Sequence, residues 1–223
     1  MMTRTATLIG ATGLIGGHLY RLLLADGYYQ TIRLLVRKPF PANDPRVEVR
    51  LTDFADAESL RLGLEGSDAI FCAVGTTQKK VGGDRAAYRK VDLDIPAQAA
   101  RWGAERGARH FLLVSAVGAN AASGNFYLRL KGEAEEAVRA SGMPAVSVFR
   151  PSMLLGHRAE NRPGERIGQV ASKIIGPLLG GSWRKYRPVE AEAVAAAMLA
   201  QSKRTVLGFE VLEYDAIRRL AGR

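Results

Sequence analysis

A glycine-rich turn between a strand pattern and a helix pattern constrains the fold of this chain most strongly. Residues 6–9 form a short apolar run, and Gly-Ala-Thr-Gly-Leu-Ile-Gly follows at 10–16. Leucines and isoleucines then recur at helical spacing up to Gly27, where a helix C-cap is expected. Such a turn brings backbone N–H groups and the positive end of a helix dipole close to a pyrophosphate. The expected cofactor-binding residues here are Gly10, Thr12, Gly13, Leu14, Ile15 and Gly16.

Strand and helix patterns alternate along most of the chain. This alternation predicts an α/β fold, a doubly wound parallel sheet (Rossmann fold) covered by helices on both faces. The turn has no Gly-Lys-Ser/Thr ending, which excludes a P-loop. Strands are predicted over 6–9, 31–36, 47–51, 69–74, 111–114, 145–149 and 206–212. Helices are predicted from residue 14 and over 58–64, 85–106, 126–141, 190–201 and 214–220.

The pattern changes after residue 155, because 156–187 is rich in Gly, Pro and Arg around one short amphipathic helix. A length of 223 residues suits one substantial α/β domain and is short for two. We therefore predict a single NAD(P)-binding domain over 1–223. Its dinucleotide-binding core spans 1–155, and a small C-terminal substrate or lid lobe spans 156–223.

The composition is that of an ordinary soluble globular protein, with 47% hydrophobic and 24% charged residues. The single cysteine, Cys72, excludes an internal disulfide and predicts a cytoplasmic location. It is interpreted as a buried strand thiol, with a redox role as the alternative. The apolar runs are too short for a transmembrane segment, and the glycines near the N-terminus argue against a signal peptide.

The net charge of +10 favours anionic partners such as nucleic acid, a membrane surface or a phosphorylated small molecule. Half of this excess lies in 156–188, which holds seven Lys or Arg and two Glu. That segment is interpreted as a packed helix with solvated arginines, an anionic-substrate pocket, a peripheral membrane contact or a partner interface. No nucleic-acid motif is recognised, and the three histidines lack metal-ligand spacing. We expect a small-molecule substrate, no nucleic acid, no metal, and a monomer or homodimer.

The ends of the second to fourth strands predict how a dinucleotide is held. Arg37 and Lys38 stand where an acidic residue would bind the ribose of NAD, so they favour the 2′-phosphate of NADP over NAD. An exposed basic loop is the alternative. Asp53 and Phe54 are candidates for contacts to the adenine. Small residues at the end of the fourth strand allow close approach of a ribose, and the residues expected there are Ala73, Val74, Gly75 and Thr76.

Three residues form a candidate catalytic set. Ser115 ends the fifth strand, and Tyr127 and Lys131 follow four residues apart on one face of a predicted helix. Tyrosine is a poor base at neutral pH because its ordinary pKa is about 10, and a nearby ammonium group lowers that pKa. We predict that Tyr127 exchanges a proton with a carbonyl or alcohol, that Lys131 tunes it and reaches the ribose, and that Ser115 orients the reacting oxygen. An ordinary surface pair is the alternative for Tyr127 and Lys131.

The glycine turn, Asp53, Ser115 and the Tyr127/Lys131 pair resemble the atypical and extended short-chain dehydrogenase/reductase superfamily. The stretches 125–133, 148–151 and 162–165 resemble the small branch with the human Tat-interacting oxidoreductase-like protein and bacterial NAD(P)-binding homologues. This resemblance covers nearly the whole chain. It implies that Arg150 and the residues after it flank the nicotinamide, namely Pro151, Ser152, Met153 and Leu154. It also implies that Asp92 takes the place where relatives often carry a catalytic Asn. Asp92, Tyr127 and Lys131 are expected to contact the cofactor as well.

The predicted function is hydride transfer between NADPH and an unidentified carbonyl or alcohol substrate, by an NADP-dependent oxidoreductase. One alternative is an NADPH-binding regulatory or redox-sensing protein, because several members of the family are described as binders or regulators. A nucleotide-sugar epimerase or dehydratase is a further alternative. It is less favoured, because about 70 residues after the sixth strand leave little room for a full substrate domain.

Overall fold

The structure is a computed structural model and describes residues 3–77, 81–155 and 180–222. The strands are β1 (Thr5–Ile9), β2 (Thr31–Val36), β3 (Val47–Leu51), β4 (Ala69–Cys72), β5 (His110–Val114), β6 (Ala145–Phe149), β7 (Leu154–Leu155), β8 (Val189–Glu190) and β9 (Gly208–Leu212). The α-helices are α1 (Leu14–Asp26), α2 (Ala57–Leu64), α3 (Arg85–Arg89), α4 (Ile95–Glu105), α5 (Phe126–Arg139), α6 (Ala191–Ser202) and α7 (Tyr214–Leu220).

Seven strands form one parallel sheet in the order β3-β2-β1-β4-β5-β6-β9. The first six follow the classic order of a doubly wound dinucleotide-binding fold, so the predicted Rossmann class is confirmed. The short strands β7 and β8 pair separately. Because all seven strands are parallel, their C-terminal ends meet at one edge of the sheet, and the functional loops start there.

Helices cover both faces of this sheet. One face carries a core that includes α1 and α6, and the other packs against α2 and α4. Strands β1, β4 and β6 are buried along their whole length, which explains why their sequences are mainly apolar; the polar Thr7 and Ser147 within them are fully buried. Strand β3 lies at an edge and alternates between half-buried and exposed residues over its first four positions.

The C-terminal part of the chain belongs to this same core. Strand β9 pairs in parallel with β6, and α6, whose buried residues are mostly alanines, packs against α1. The boundary expected at residue 155 therefore does not mark the start of a separate lobe, because the described residues 180–222 pack into the same core as 3–155. The predicted amphipathic helix, for which Ile167, Val170, Ile174, Ile175 and Leu178 recur near helical spacing, lies outside the described residues, as does most of the basic segment 156–188.

The helix predicted over 85–106 is interrupted. Its middle turn, Lys90–Asp94, is π-helical, and the N–H of Ile95 donates to the carbonyl of Lys90. Pro96 follows at the start of α4. Proline has no N–H to donate and its ring crowds the carbonyl four residues earlier, here that of Asp92, so a wider turn accommodates it. This turn carries Asp92 to the edge of the sheet where the strands end.

Candidate active site

The glycine turn after β1 is shaped by close backbone contacts. Gly10 has a positive φ of 96°, and a Cβ there would lie 2.7 Å from the carbonyl carbon of Ala73. A Cβ on Gly16 would lie 2.0 Å from the carbonyl oxygen of Gly10. Gly13 is the N-cap of α1 and offers no side-chain cap, and the first turn holds no acidic residue. The helix N-terminus is therefore suited to an anionic ligand.

A cavity of about 690 Å³ runs from this turn across the ends of β4, β5 and β6 to α5. This volume lies within the usual range for small-molecule and cofactor sites. Its lining brings together the following predicted residues: Thr12, Gly13, Leu14, Ile15, Ala73, Val74, Gly75, Thr76, Asp92, Ser115, Tyr127, Lys131, Pro151, Ser152, Met153 and Leu154. A glycine cradle at one end and a polar cluster at the other fit an elongated dinucleotide.

The remaining predicted residues lie outside this lining. Gly10 and Gly16 do not line the cavity, and they shape the turn through the close backbone contacts described above. Arg37 and Lys38 are exposed just after β2, and Asp53 and its neighbour Phe54 follow β3, all near the same edge of the sheet. The carboxylate of Asp53 accepts a hydrogen bond from the N–H of Ala55, at 2.9 Å, so it also holds its own loop.

The cavity is also lined by residues that were not predicted from the sequence, namely Gly17, His18, Arg21, Thr77, Val114, Ala116 and Val117. His18 and Arg21 lie one turn apart on α1, beyond the glycine motif. The signal for them is the i,i+3 spacing on a helix whose N-terminus faces the cavity.

Lys131 and Asp92 form the polar centre of the cavity. Nζ of Lys131 lies 2.8 Å from Oδ1 of Asp92, and both side chains are buried. Oδ2 of Asp92 accepts a hydrogen bond from the N–H of Thr76, at 2.8 Å. Burial acts to lower the pKa of Lys131, but the charges of Asp92 and, less strongly, Tyr127 raise it above its ordinary value. Lys131 is therefore held as a cation at neutral pH.

Tyr127 lies one helical turn before Lys131 on α5 and is 40% exposed at the cavity. Asn125 caps this helix by accepting a hydrogen bond from the N–H of Leu128. Directly after Lys131, Gly132 packs against the loop backbone at 120–121, and a Cβ there would lie 2.1 Å from the nitrogen of Ala121. The cap and the glycine contact together fix the direction in which α5 presents its reactive face.

Ser115 is buried at the end of β5, and its hydroxyl donates to Oε1 of Glu135. Glu135 is itself buried and accepts two hydrogen bonds from Arg150, at 3.0 Å from Nε and 2.5 Å from Nη2. Sequence reasoning missed Glu135 altogether. The available signal was its position one turn beyond Lys131, on the same face of α5.

Cys72 is fully buried in β4, and burial raises the pKa of its thiol to about 12. A thiolate is therefore disfavoured at neutral pH, which agrees with the interpretation as a strand thiol and argues against the redox alternative. The described residues hold no cluster of three or more His, Cys, Asp or Glu able to bind a metal ion. Among the helices of the described segments, none is long and apolar enough to cross a membrane.

The fold and the cavity together define a Rossmann protein of the NAD(P)-binding class. The chain belongs to the NAD(P)H-binding family, whose model matches residues 10–203. Protein HTATIP2 of Rattus norvegicus is a relative that is 32% identical over 224 residues, covering 99% of this chain and 90% of its own length. The mitochondrial protein fmp52 of Aspergillus clavatus is 34% identical over 202 residues and covers 86% of each chain.

Solved structures with the same fold include the Bordetella bronchiseptica enzyme WbmH in complex with NAD+. Its TM-score is 0.71 at 15% identity, covering 99% of this chain and 80% of that one. MoeE5 in complex with UDP-glucose and NAD also has a TM-score of 0.71 at 15% identity, covering 94% and 75%. A short-chain dehydrogenase/reductase superfamily protein from Agrobacterium tumefaciens with bound NAD has a TM-score of 0.69 at 14% identity, covering 95% and 78%. These similarities establish the architecture.

Proposed function

We propose that this protein is an NADP-dependent oxidoreductase that interconverts a carbonyl and an alcohol, with Tyr127 as the acid/base. The observation that carries this proposal is one continuous cavity that joins the glycine turn to Tyr127 and Lys131. Family membership supports binding of NAD(P), and the position of the tyrosine and lysine supports proton transfer beside it.

The chain's own residues account for binding at both ends of the cavity. The backbone at 12–15 and the N-terminus of α1 bind the pyrophosphate, and the small residues at 73–76 let a ribose approach the end of β4. Arg37 and Lys38 supply positive charge for a 2′-phosphate, and no acidic residue stands at the end of β2 to repel it. When bound, the nicotinamide supplies or accepts the hydride.

Tyr127 donates its phenolic proton to the carbonyl oxygen of the substrate, or removes the proton of an alcohol in the opposite direction. The ammonium group of Lys131 stabilises the phenolate that remains. Asp92 holds this ammonium in place through the 2.8 Å contact and is fixed in turn by the N–H of Thr76. Ser115 lines the same cavity as Tyr127 and orients the substrate through its hydroxyl oxygen.

The experiment is a test of NADPH consumption against aldehydes, ketones and quinones, with wild type and Tyr127→Phe. We expect turnover by the wild type, a loss of at least a hundredfold in Tyr127→Phe, and equal NADPH binding by both proteins. Full activity in Tyr127→Phe would overturn the assignment of the acid/base.

A second candidate function is that of an NADPH-binding regulator. The observation that favours it is the ion pair with Asp92, because it neutralises part of the charge that Lys131 offers to Tyr127. For this function we expect NADPH binding without turnover, together with a set of captured partner proteins that changes when NADPH is added. An unchanged partner set counts against it.

A further inference from the structure

Beneath the cavity wall, three residues from three elements form a closed polar network. Ser115 follows β5, Glu135 belongs to α5, and Arg150 follows β6. Glu135 is 4% exposed and receives one hydrogen bond from Ser115 and two from Arg150. Of these three residues, only Ser115 lines the cavity.

The charge state of Glu135 follows from its partners. The parallel hydrogen bonds from Nε and Nη2 of Arg150 match the fork geometry of an ionised carboxylate. The hydrogen bonds to Glu135 are the main reason why the pKa of Arg150 is raised, so the guanidinium stays charged. The backbone N–H of Arg150 also donates to the carbonyl of Leu212 in β9, at 2.9 Å, which anchors the residue to the sheet.

An ionised carboxylate accepts hydrogen bonds and has none to donate, whereas a serine hydroxyl has a single proton. Because that proton is donated to Glu135, the Ser115 oxygen can take part in a further hydrogen bond only as an acceptor. In this arrangement, Ser115 does not donate to a carbonyl oxygen in the cavity. The donor for the reacting oxygen is then Tyr127.

We propose that Glu135 is a positioning residue that fixes Ser115 as a hydrogen-bond acceptor, so that the site selects substrates with a hydroxyl group next to the reacting carbonyl. Tyr127 donates to the carbonyl oxygen, and the neighbouring hydroxyl of the substrate donates to Ser115. This inference rests on the proposed function and narrows its substrate class to hydroxycarbonyl compounds.

The test compares a hydroxyketone, 2-hydroxyacetophenone, with the matched ketone acetophenone. The ratio of their kcat/KM values is measured with NADPH for wild type, Ser115→Ala and Glu135→Gln. We expect the wild type to prefer the hydroxyketone by about tenfold, the value of one net hydrogen bond. The preference falls to near one in Ser115→Ala. It also falls in Glu135→Gln. The single amide oxygen stays with the charged Arg150, and the NH2 group then donates to Ser115 and releases the serine proton toward the cavity.

Glu136→Gln is the matched control, because this exposed neighbour on α5 undergoes the same chemical change. It should keep the tenfold preference. A merely structural role for Glu135 would lower the rates with both ketones and leave their ratio unchanged, and that result would overturn the proposal. A wild type without any preference would do the same.

The inference is also tested apart from turnover. The dissociation constants of the two ketones are measured with NADPH-loaded Tyr127→Phe, which lacks the proton donor. Tighter binding of the hydroxyketone supports the role of Ser115 even if wild type turns over neither compound, in which case the proposed oxidoreductase function fails alone. Equal affinity, or no binding of either ketone, overturns the inference.

Discussion

Lys131 and Asp92 form an ion pair inside the cavity, with 2.8 Å between Nζ and Oδ1, and their side chains are 8% and 1% exposed. The pair joins α5 to the π-helical turn before Pro96, so the position of Lys131 depends on two elements that are distant in sequence. The charge of Asp92 also keeps Lys131 protonated, because it opposes the effect of burial on the pKa of the lysine.

Replacement of Asp92 by Asn should therefore change the pH dependence of turnover. Without the negative charge, only the weaker effect of Tyr127 opposes burial, so the pKa of Lys131 falls and the lysine loses its proton at lower pH. We expect the alkaline limb of the pH–rate profile to move to lower pH, because the proposed reaction needs the Lys131 ammonium group. We also expect a loss of up to about 3 kcal/mol in the free energy of unfolding, because a buried cation loses its charged partner.

Asp94→Asn is the control for this prediction, because Asp94 lies in the same π-helical turn and does not line the cavity. The Asp94→Asn protein should have the same pH–rate profile as the wild type. An unshifted profile in Asp92→Asn would contradict the electrostatic role of the ion pair.

Gly132→Ala should disturb the site through the backbone. The added Cβ would lie 2.1 Å from the nitrogen of Ala121 and 2.3 Å from the carbonyl carbon of Asn120, and neither atom can move alone. Helix α5 must therefore shift. We expect a loss of about 1–3 kcal/mol in unfolding free energy and a decrease in kcat. Urea unfolding and steady-state kinetics measure these, and Gly124→Ala, where a Cβ meets nothing within 4 Å, should behave like wild type.

His110 should make the stability depend on pH. Burial lowers the pKa of this histidine to about 4 in the folded protein, against about 6.5 when unfolded. Between these values the unfolded chain binds more protons, so the stability that neutral His110 contributes is complete above pH 6.5 and is lost as the pH falls toward 4. The expected loss is about 3 kcal/mol over that interval.

Urea unfolding at several pH values measures this effect as a difference between wild type and His110→Gln. The glutamine should reduce the slope between pH 4 and 6.5. NADPH binding should stay the same, because His110 begins β5 at the sheet edge opposite the cavity. Parallel stability curves for the two proteins would refute the assignment to His110.

The sheet was predictable because its central strands are buried on both faces. They therefore appear in the sequence as mainly apolar runs separated by turn residues. The glycine turn and the Tyr127/Lys131 spacing are local patterns, and local patterns can be recognised in a single sequence. The C-terminal boundary was not predictable in the same way. Strand β9 joins the sheet through pairing with β6, more than 50 residues earlier, and the change of composition after residue 155 concealed that continuity.

The polar partners of the site were hidden for a related reason. Glu135 meets Ser115 from 20 residues away and Arg150 from 15 residues away, so the network exists only once α5 packs across the strand ends. Asp92 was visible as a departure from the family pattern. Its contacts with Lys131 and Thr76 depend on the π-helical turn, which helical periodicity does not indicate.

Binding of a phosphorylated dinucleotide in this cavity is tested most directly by a fluorescence titration with NADPH and NADH. Wild type, Arg37→Ala and the control Arg101→Ala, on the exposed side of α4, are compared. We predict that wild type and the control bind NADPH more tightly than NADH. Arg37→Ala should lose about tenfold to a hundredfold in NADPH affinity, the value of a charge-assisted contact, and keep its NADH affinity. Full NADPH preference in Arg37→Ala, or no binding of either nucleotide by the wild type, would contradict the account.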